Sequence, residues 1–191
     1  MTQDDARENL QIKIFGLQKK SNSNRGSSYL PDASITVGGK SYDIELKTGS
    51  KASFSTARGM SRDKINEWKK NDFFIFSKYK KEGGSFVFTR HIVCQPKHLQ
   101  FFFDHVIDKV NVSGHAGKIG LDQYNELIRP WLDNFLSEEL LAKHDKTVKV
   151  GSEYNDPKVN VQKIVDNGGY DLDLNKCLKQ QLIDYITRET I

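Results

Sequence analysis

The sequence predicts an α/β fold, a central mixed β-sheet flanked by helices, in a single domain spanning residues 1–191. Three observations carry that expectation. Gly38-Gly39 separates two alternating stretches, Ser34–Val37 and Ser41–Lys47, which read as two strands joined by a tight hairpin turn. Two apolar runs, Asp72–Tyr79 and Ser85–Val93, flank a turn over Lys80–Gly84 and read as the centre of the sheet. Helical spacing of apolar residues recurs at the N-terminus, after Pro96, beyond Leu121 and at the C-terminus. A chain of 191 residues is long enough to bury a proper core.

The elements follow in order. Thr2-Gln-Asp-Asp5 can cap a helix running through Glu8, Leu10, Ile12, Ile14, Phe15 and Leu17. Lys19–Gly26 is a polar, glycine-ended loop, read as a solvated linker or as a contact to a nucleic-acid backbone. Together, residues 1–27 form an N-terminal helix and loop. Ser61 is placed to cap a helix ending near Trp68, where an aromatic usually joins the core. A further helix starts at Pro96 and runs to Asp108, and residues 112–118 form a loop. Apolar residues from Leu121 to Leu136 keep helical spacing, with Pro130 kinking or dividing the helix and a short helix following to Lys143. This helical insert, 121–143, is expected by default to pack on the core, with extending a dimer contact or wrapping nucleic acid as the alternatives. Lys146–Gly151 reads as a strand, and a helix from Asn175 through Ile186 closes the chain.

The chemistry sits on the hairpin. Alternate residues of a strand share a face, so Asp43, Glu45 and Lys47 point one way and Ile44 and Leu46 the other. A turn that returns Asp32 beside Glu45 would gather two carboxylates and an ammonium. Two hard oxygen ligands can hold magnesium while leaving room for waters and a substrate phosphate. Such an ion polarises a phosphodiester, and a neighbouring lysine can orient the attacking water or stabilise the developing charge. Asp32, Glu45 and Lys47 are therefore candidate catalytic residues, with Asp32 and Glu45 as candidate ligands of Mg2+. Alternating charges also suit the wet face of any amphipathic strand, and the spacing alone is a weak signal.

Composition narrows the classes. A net charge of +4 is a mild basic excess, compatible with nucleic acid as partner but shared by many enzymes. Cys94 and Cys177, the only two cysteines, form no disulfide framework and no paired-cysteine metal motif. His98, His105 and His115 lack the spacing of a zinc site. No apolar run spans a membrane and the N-terminus is polar and acidic, so a soluble cytoplasmic protein with no membrane partner is expected.

Pro31-Asp32 followed by Glu45-Leu46-Lys47 resembles the PD-(D/E)xK signature of the restriction-endonuclease-like nucleases. The likeness extends to small blunt-cutting type II restriction enzymes. It is carried by Tyr42-Asp-Ile-Glu-Leu-Lys-Thr, Phe54-Ser-Thr-Ala-Arg-Gly-Met60, Gln95-Pro-Lys-His-Leu-Gln-Phe-Phe and Asn155-Asp-Pro-Lys-Val-Asn-Val-Gln-Lys-Ile-Val165. These blocks keep the family order and cover roughly residues 28–168. Three departures stand out. Ala57-Arg58-Gly59 replaces the triple histidine of those enzymes, which implies a different DNA sequence. The gap between Asp32 and Glu45 is longer, and the 121–143 insert has no counterpart.

The resemblance implies a restriction-endonuclease-like sheet and a magnesium-dependent type II endonuclease that cuts palindromic double-stranded DNA as a homodimer, with residues 1–27 as a dimer contact. It places DNA contacts at Ser55, Thr56 and Arg58, and again at Asn155, Asp156 and Lys158. Arginine can grip guanine and asparagine can pair with adenine, although Asn-Asp-Pro is also an ordinary turn. It also places Trp68 near the catalytic pocket and leaves Asp43 as an auxiliary ligand. Two alternatives stay open: a structure-specific repair or junction-resolving nuclease of the same fold, and a non-catalytic DNA-binding module.

Overall fold

The computed structural model describes residues 3–20, 31–57, 59–110, 119–120, 124–140, 150–151 and 154–190. Its strands in chain order are β1 (Gln18–Lys19), β2 (Ala33–Val37), β3 (Lys40–Gly49), β4 (Ser53–Ser55), β5 (Gly59–Met60), β6 (Phe73–Glu82) and β7 (Ser85–Cys94). β8 (Ile119–Gly120), β9 (Val150–Gly151), β10 (Tyr154–Asn155), β11 (Lys158–Asn160) and β12 (Tyr170–Asp171) complete them. The first three helices are α1 (Gln3–Phe15), α2 (Arg62–Trp68) and α3 (Gln100–Asp108). Two compact units divide the chain. One comprises Met1–Thr56, Asn66–Gln100 and Lys158–Ile191, the other Ala57–Ile65 and Phe101–Pro157.

The first unit holds a six-stranded mixed sheet in the order β1-β2-β3-β6-β7-β12. Every neighbouring pair is antiparallel except β3 and β6, which run parallel. A parallel pair needs a crossover, here supplied by residues 50–72. The β2–β3 hairpin turns on Gly38 and Gly39, whose φ angles of 58° and 82° lie in the left-handed region. Two-residue hairpin turns require that conformation, and glycine adopts it without a Cβ clash. Gly83 and Gly84 do the same for β6 and β7, with φ of 54° and 84°. The sequence places this turn over Lys80–Gly84, but pairing continues to Glu82 opposite Ser85. The two glycines alone reverse the chain, so Lys80, Lys81 and Glu82 are free to stay in the ladder.

One face of the sheet is closed by α1 and the helix Leu178–Thr190. Phe15, Ile44, Leu46, Phe73, Ile75, Leu182 and Ile186 meet there as buried core. Full burial of such side chains stabilises the fold by about 1.5–3 kcal/mol each. β6 is buried along Phe73–Ser77, with Phe74 and Phe76 on the face opposite Phe73 and Ile75. The C-terminal helix begins at Leu178 rather than Asn175. The Asp173 carboxylate accepts the Asn175 N–H at 2.9 Å and holds that segment in a turn.

Pro96–Leu99 forms a 3-10 turn before α3, where the sequence predicts one helix from Pro96. In the second unit α3 buries Phe102, Phe103 and Val106. Tyr124–Ile128 is a π-helical turn that passes into the α-helix Arg129–Asp133 at Pro130. Proline lacks the N–H that a continuous helix would need, so the insert is divided there. Tyr124 and Leu132 are buried, whereas Leu127, Trp131, Phe135 and Leu140 are exposed. Leu127, Trp131 and Phe135 of the apolar stripe thus face solvent instead of packing inward as the sequence predicts. Of the predicted strand Lys146–Gly151, only Val150–Gly151 is described, and it pairs parallel with β8. The loop 112–118 and residues 121–123 and 141–143 of the insert lie outside the described residues. Among the described residues, no helix is long and apolar enough to cross a membrane.

Candidate active site

The hairpin places the first carboxylate. Asp32 precedes β2, and the register sets Ala33 opposite Ile44. The Leu46 N–H donates to Asp32 Oδ2 at 2.8 Å, which holds this carboxylate against the middle of β3. Glu45 and Lys47 leave β3 on the face opposite Ile44 and Leu46. Lys47 Nζ donates to Glu45 Oε1 at 2.5 Å and lies 3.8 Å from Asp32 Oδ2. The three candidate catalytic residues therefore converge on one ammonium. Trp68 lies beside them, with Lys47 Nζ 5.2 Å from its ring centroid. The same indole is buried against Phe74, so Trp68 packs as a core aromatic while it flanks the lysine.

Asp43 takes no part in this cluster. Its carboxylate pairs with the Lys20 ammonium, and its backbone N–H donates to Asp72 Oδ2 at 2.7 Å. An auxiliary role for Asp43 thus competes with an ion pair that already occupies its side chain.

Burial governs the electrostatics. Burial pushes the Glu45 carboxyl above its usual range; Lys47 opposes the shift and the charge of Asp32 adds to it. For Lys47, burial works against the ammonium, but the attraction of Glu45 and Asp32 outweighs it and the net shift is upward. Glu8 on α1 is perturbed as well. Its carboxyl is raised by burial and by the charge of Asp32, with Lys19, 3.4 Å away, pulling it down. Removing charges from water is costly even when they are paired, so such a cluster is not explained by stability. Perturbed ionisable groups gathered in one place mark a functional candidate.

Glu8 is the residue that sequence reasoning passed over. It lies on a polar part of α1, far from the signature in the chain, with no spacing to link it to Asp32. Its only local mark is its place one helical turn before Gln11.

The donor set suits a hard cation. Asp32 and Glu45 offer carboxylate oxygens, and a dication would relieve the penalty that burial imposes on the charged form of Glu45. Among the described residues, no group of three or more His, Cys, Asp or Glu side chains could hold a metal by itself. Magnesium does not need one, since it is commonly held by one or two carboxylates plus water and substrate phosphate.

Three of the predicted DNA contacts, Ser55, Asn155 and Lys158, lie on two short ladders. β4 pairs antiparallel with β11, setting Ser55 opposite Lys158. β5 pairs antiparallel with β10, setting Asn155 opposite Gly59. Segments distant in sequence thus lie side by side within each unit. Ser55, Asp156 and Lys158 are exposed, whereas Thr56 is buried and offers little surface to a base. Asp156 has φ of 46°, a left-handed turn position that Asp tolerates better than most residues. Arg58 and the side chain of Asn155 lie outside the described residues.

No protein-family model matches the chain, and no curated protein matches it.

Proposed function

We propose that the chain is a type II restriction endonuclease, a sequence-specific, magnesium-dependent enzyme that hydrolyses phosphodiesters in palindromic double-stranded DNA as a homodimer. Its mixed sheet is read as the restriction-endonuclease type. The observation that carries the reading is the meeting of Asp32, Glu45 and Lys47, with Nζ 2.5 Å from Glu45 and 3.8 Å from Asp32. The order Asp, Glu, Lys and the placement of the last two on one strand match the PD-(D/E)xK signature.

In this reading a water attacks phosphorus as the bond to the leaving sugar oxygen breaks. Asp32 and Glu45 would hold magnesium, which supplies polarisation of the phosphodiester and offsets its negative charge. Glu45 keeps the Lys47 ammonium in place, and the Trp68 ring limits its freedom on one side. Lys47 donates to the attacking water or to a phosphate oxygen, where its charge favours the crowded transition state. Two copies related by a twofold axis would read the two halves of a palindrome and cut both strands.

Digestion of unmethylated phage-length DNA, with magnesium and with EDTA, tests the reading when the fragment ends are sequenced. Discrete fragments that require magnesium support it and reveal the site and stagger together. Cleavage restricted to branched substrates would point to a junction-resolving nuclease. Binding without any product, indifferent to magnesium, would leave a DNA-binding module.

A further inference from the structure

The β6–β7 hairpin extends past the core. Burial along β6 ends at Ser77, and Lys80–Ser85 at the tip is exposed. A hairpin end in water is usually polar, yet this one carries aromatic rings. Tyr79 meets Phe86 edge-to-face with centroids 6.1 Å apart, and Phe86 meets Phe88 in the same way at 5.8 Å. The register sets Lys81 opposite Phe86 and Tyr79 opposite Phe88, so these four side chains share one face. It is the face that α1 covers, where Gln11 Nε2 donates to Ser77 Oγ at 2.7 Å. Glu45 and Lys47 leave the sheet on the other side.

A cavity of about 410 Å³ is lined by Ala6 and Arg7 of α1 and by Tyr79, Lys81 and Phe86 of the hairpin. That volume suits a small organic molecule. Its polar groups are donors. The Arg7 guanidinium lies 4.5 Å over the Tyr79 ring and donates to the phenol oxygen at 3.0 Å. The phenol accepts that bond, which leaves its own O–H to donate. Lys81 makes no ion pair among the described residues, whereas its neighbour Lys80 pairs with Glu82 at 2.5 Å on the opposite face. Among the described residues, no carboxylate lines the cavity. Two cations and a phenol attract a negative group, and the rings beside them accept a flat apolar body. Packing of α1 on the sheet accounts for Arg7 on Tyr79, but it needs neither the cavity nor Lys81 at its edge.

We propose that this cavity binds a small aromatic anion, its ring against Tyr79 and Phe86 and its negative group held by Arg7 and Lys81. The site lies on the sheet face opposite Glu45 and Lys47, and the inference does not rest on the nuclease reading of that cluster.

The test follows backbone amide shifts by NMR as naphthoate is added to the full chain, with naphthamide and inorganic phosphate as controls. Naphthoate is expected to move the amides of Arg7 and of residues 79–86 along one saturable curve. Naphthamide keeps the ring without the charge and is expected to bind about tenfold more weakly. Phosphate keeps the charge without the ring and is expected to bind no better than the amide. Lys81→Met retains an apolar stem at an exposed position and is expected to weaken naphthoate about fivefold. Ala6→Leu fills the cavity with a residue that also favours a helix and is expected to abolish the shifts. Both variants are expected to keep the parental spectrum away from the cavity. Equal binding of naphthoate and naphthamide, binding unchanged in either variant, or shifts confined to residues such as Trp131 and Phe135 overturns the proposal. So does the absence of any shift at the cavity amides up to the solubility limit of naphthoate.

Discussion

Lys47 holds its ammonium between Glu45 and Asp32 with the Trp68 ring at its side, and each neighbour constrains what a substitution would do. Lys47→Ala or Glu45→Ala is expected to abolish cleavage while leaving DNA binding largely intact, read by digestion beside a mobility-shift assay. Cutting at near the parental rate by either variant would remove these residues from the mechanism. His91 supports a prediction of a different kind. Its folded value, lowered by burial to about 4, lies below the ordinary 6.5 of a free imidazole. Between those values the unfolded chain binds a proton that the folded chain refuses, so stability falls as pH drops from about 6.5 towards 4. The loss is on the order of 3 kcal/mol when complete. Urea unfolding across that range is expected to show the slope, and His91→Asn is expected to flatten it. The Asp-Glu-Lys trio was legible because its members sit on or beside one hairpin. Glu8 was not, because its connection to Asp32 runs through space between a helix and a strand.

At the scale of elements, the hairpins carry the precision of the site. The Gly38-Gly39 turn fixes which β2 residue faces which β3 residue, and that register delivers Asp32 to the Leu46 N–H. Gly39→Val puts a branched side chain at a φ of 82°. It is expected to destabilise the fold by about 1–2 kcal/mol, measured as a lower urea midpoint. The helix Val161–Asp166 offers a parallel case. Asn160 caps it by accepting from the N–H groups of Gln162 and Lys163. Asn160→Ala is expected to cost about 1 kcal/mol, and loss of that cap would show in the same unfolding curve. Turn glycines and alternating strands announce themselves locally, so both long hairpins were readable. The two- and three-residue strands β4, β5, β10 and β11 are too short to show any periodicity, and only their pairing defines them. The insert misled for a related reason: helical spacing marks an apolar stripe but not what covers it, and Trp131 and Phe135 are exposed.

For the whole molecule, the excess of four positive charges makes salt the natural probe of the proposed DNA binding. Affinity is expected to fall linearly on a log–log plot against salt, and Lys158→Ala to reduce the slope by about one if that lysine meets a phosphate. An unchanged slope would take Lys158 out of the interface. The sequence by itself determined the α/β character, the hairpins and the residues of the candidate trio. Each depends on neighbours within a few residues: a glycine pair that permits a turn, an alternation that sorts side chains between two faces. Only the tertiary structure decided that the charge of Asp32 acts on Glu8, that Gln11 reaches Ser77 and the Lys47 carbonyl, and that Ser55 lies opposite Lys158. Those relations join segments far apart in the chain. They arise when burial of the apolar face brings helix and strands together, and no local pattern of residue types encodes which polar groups then meet.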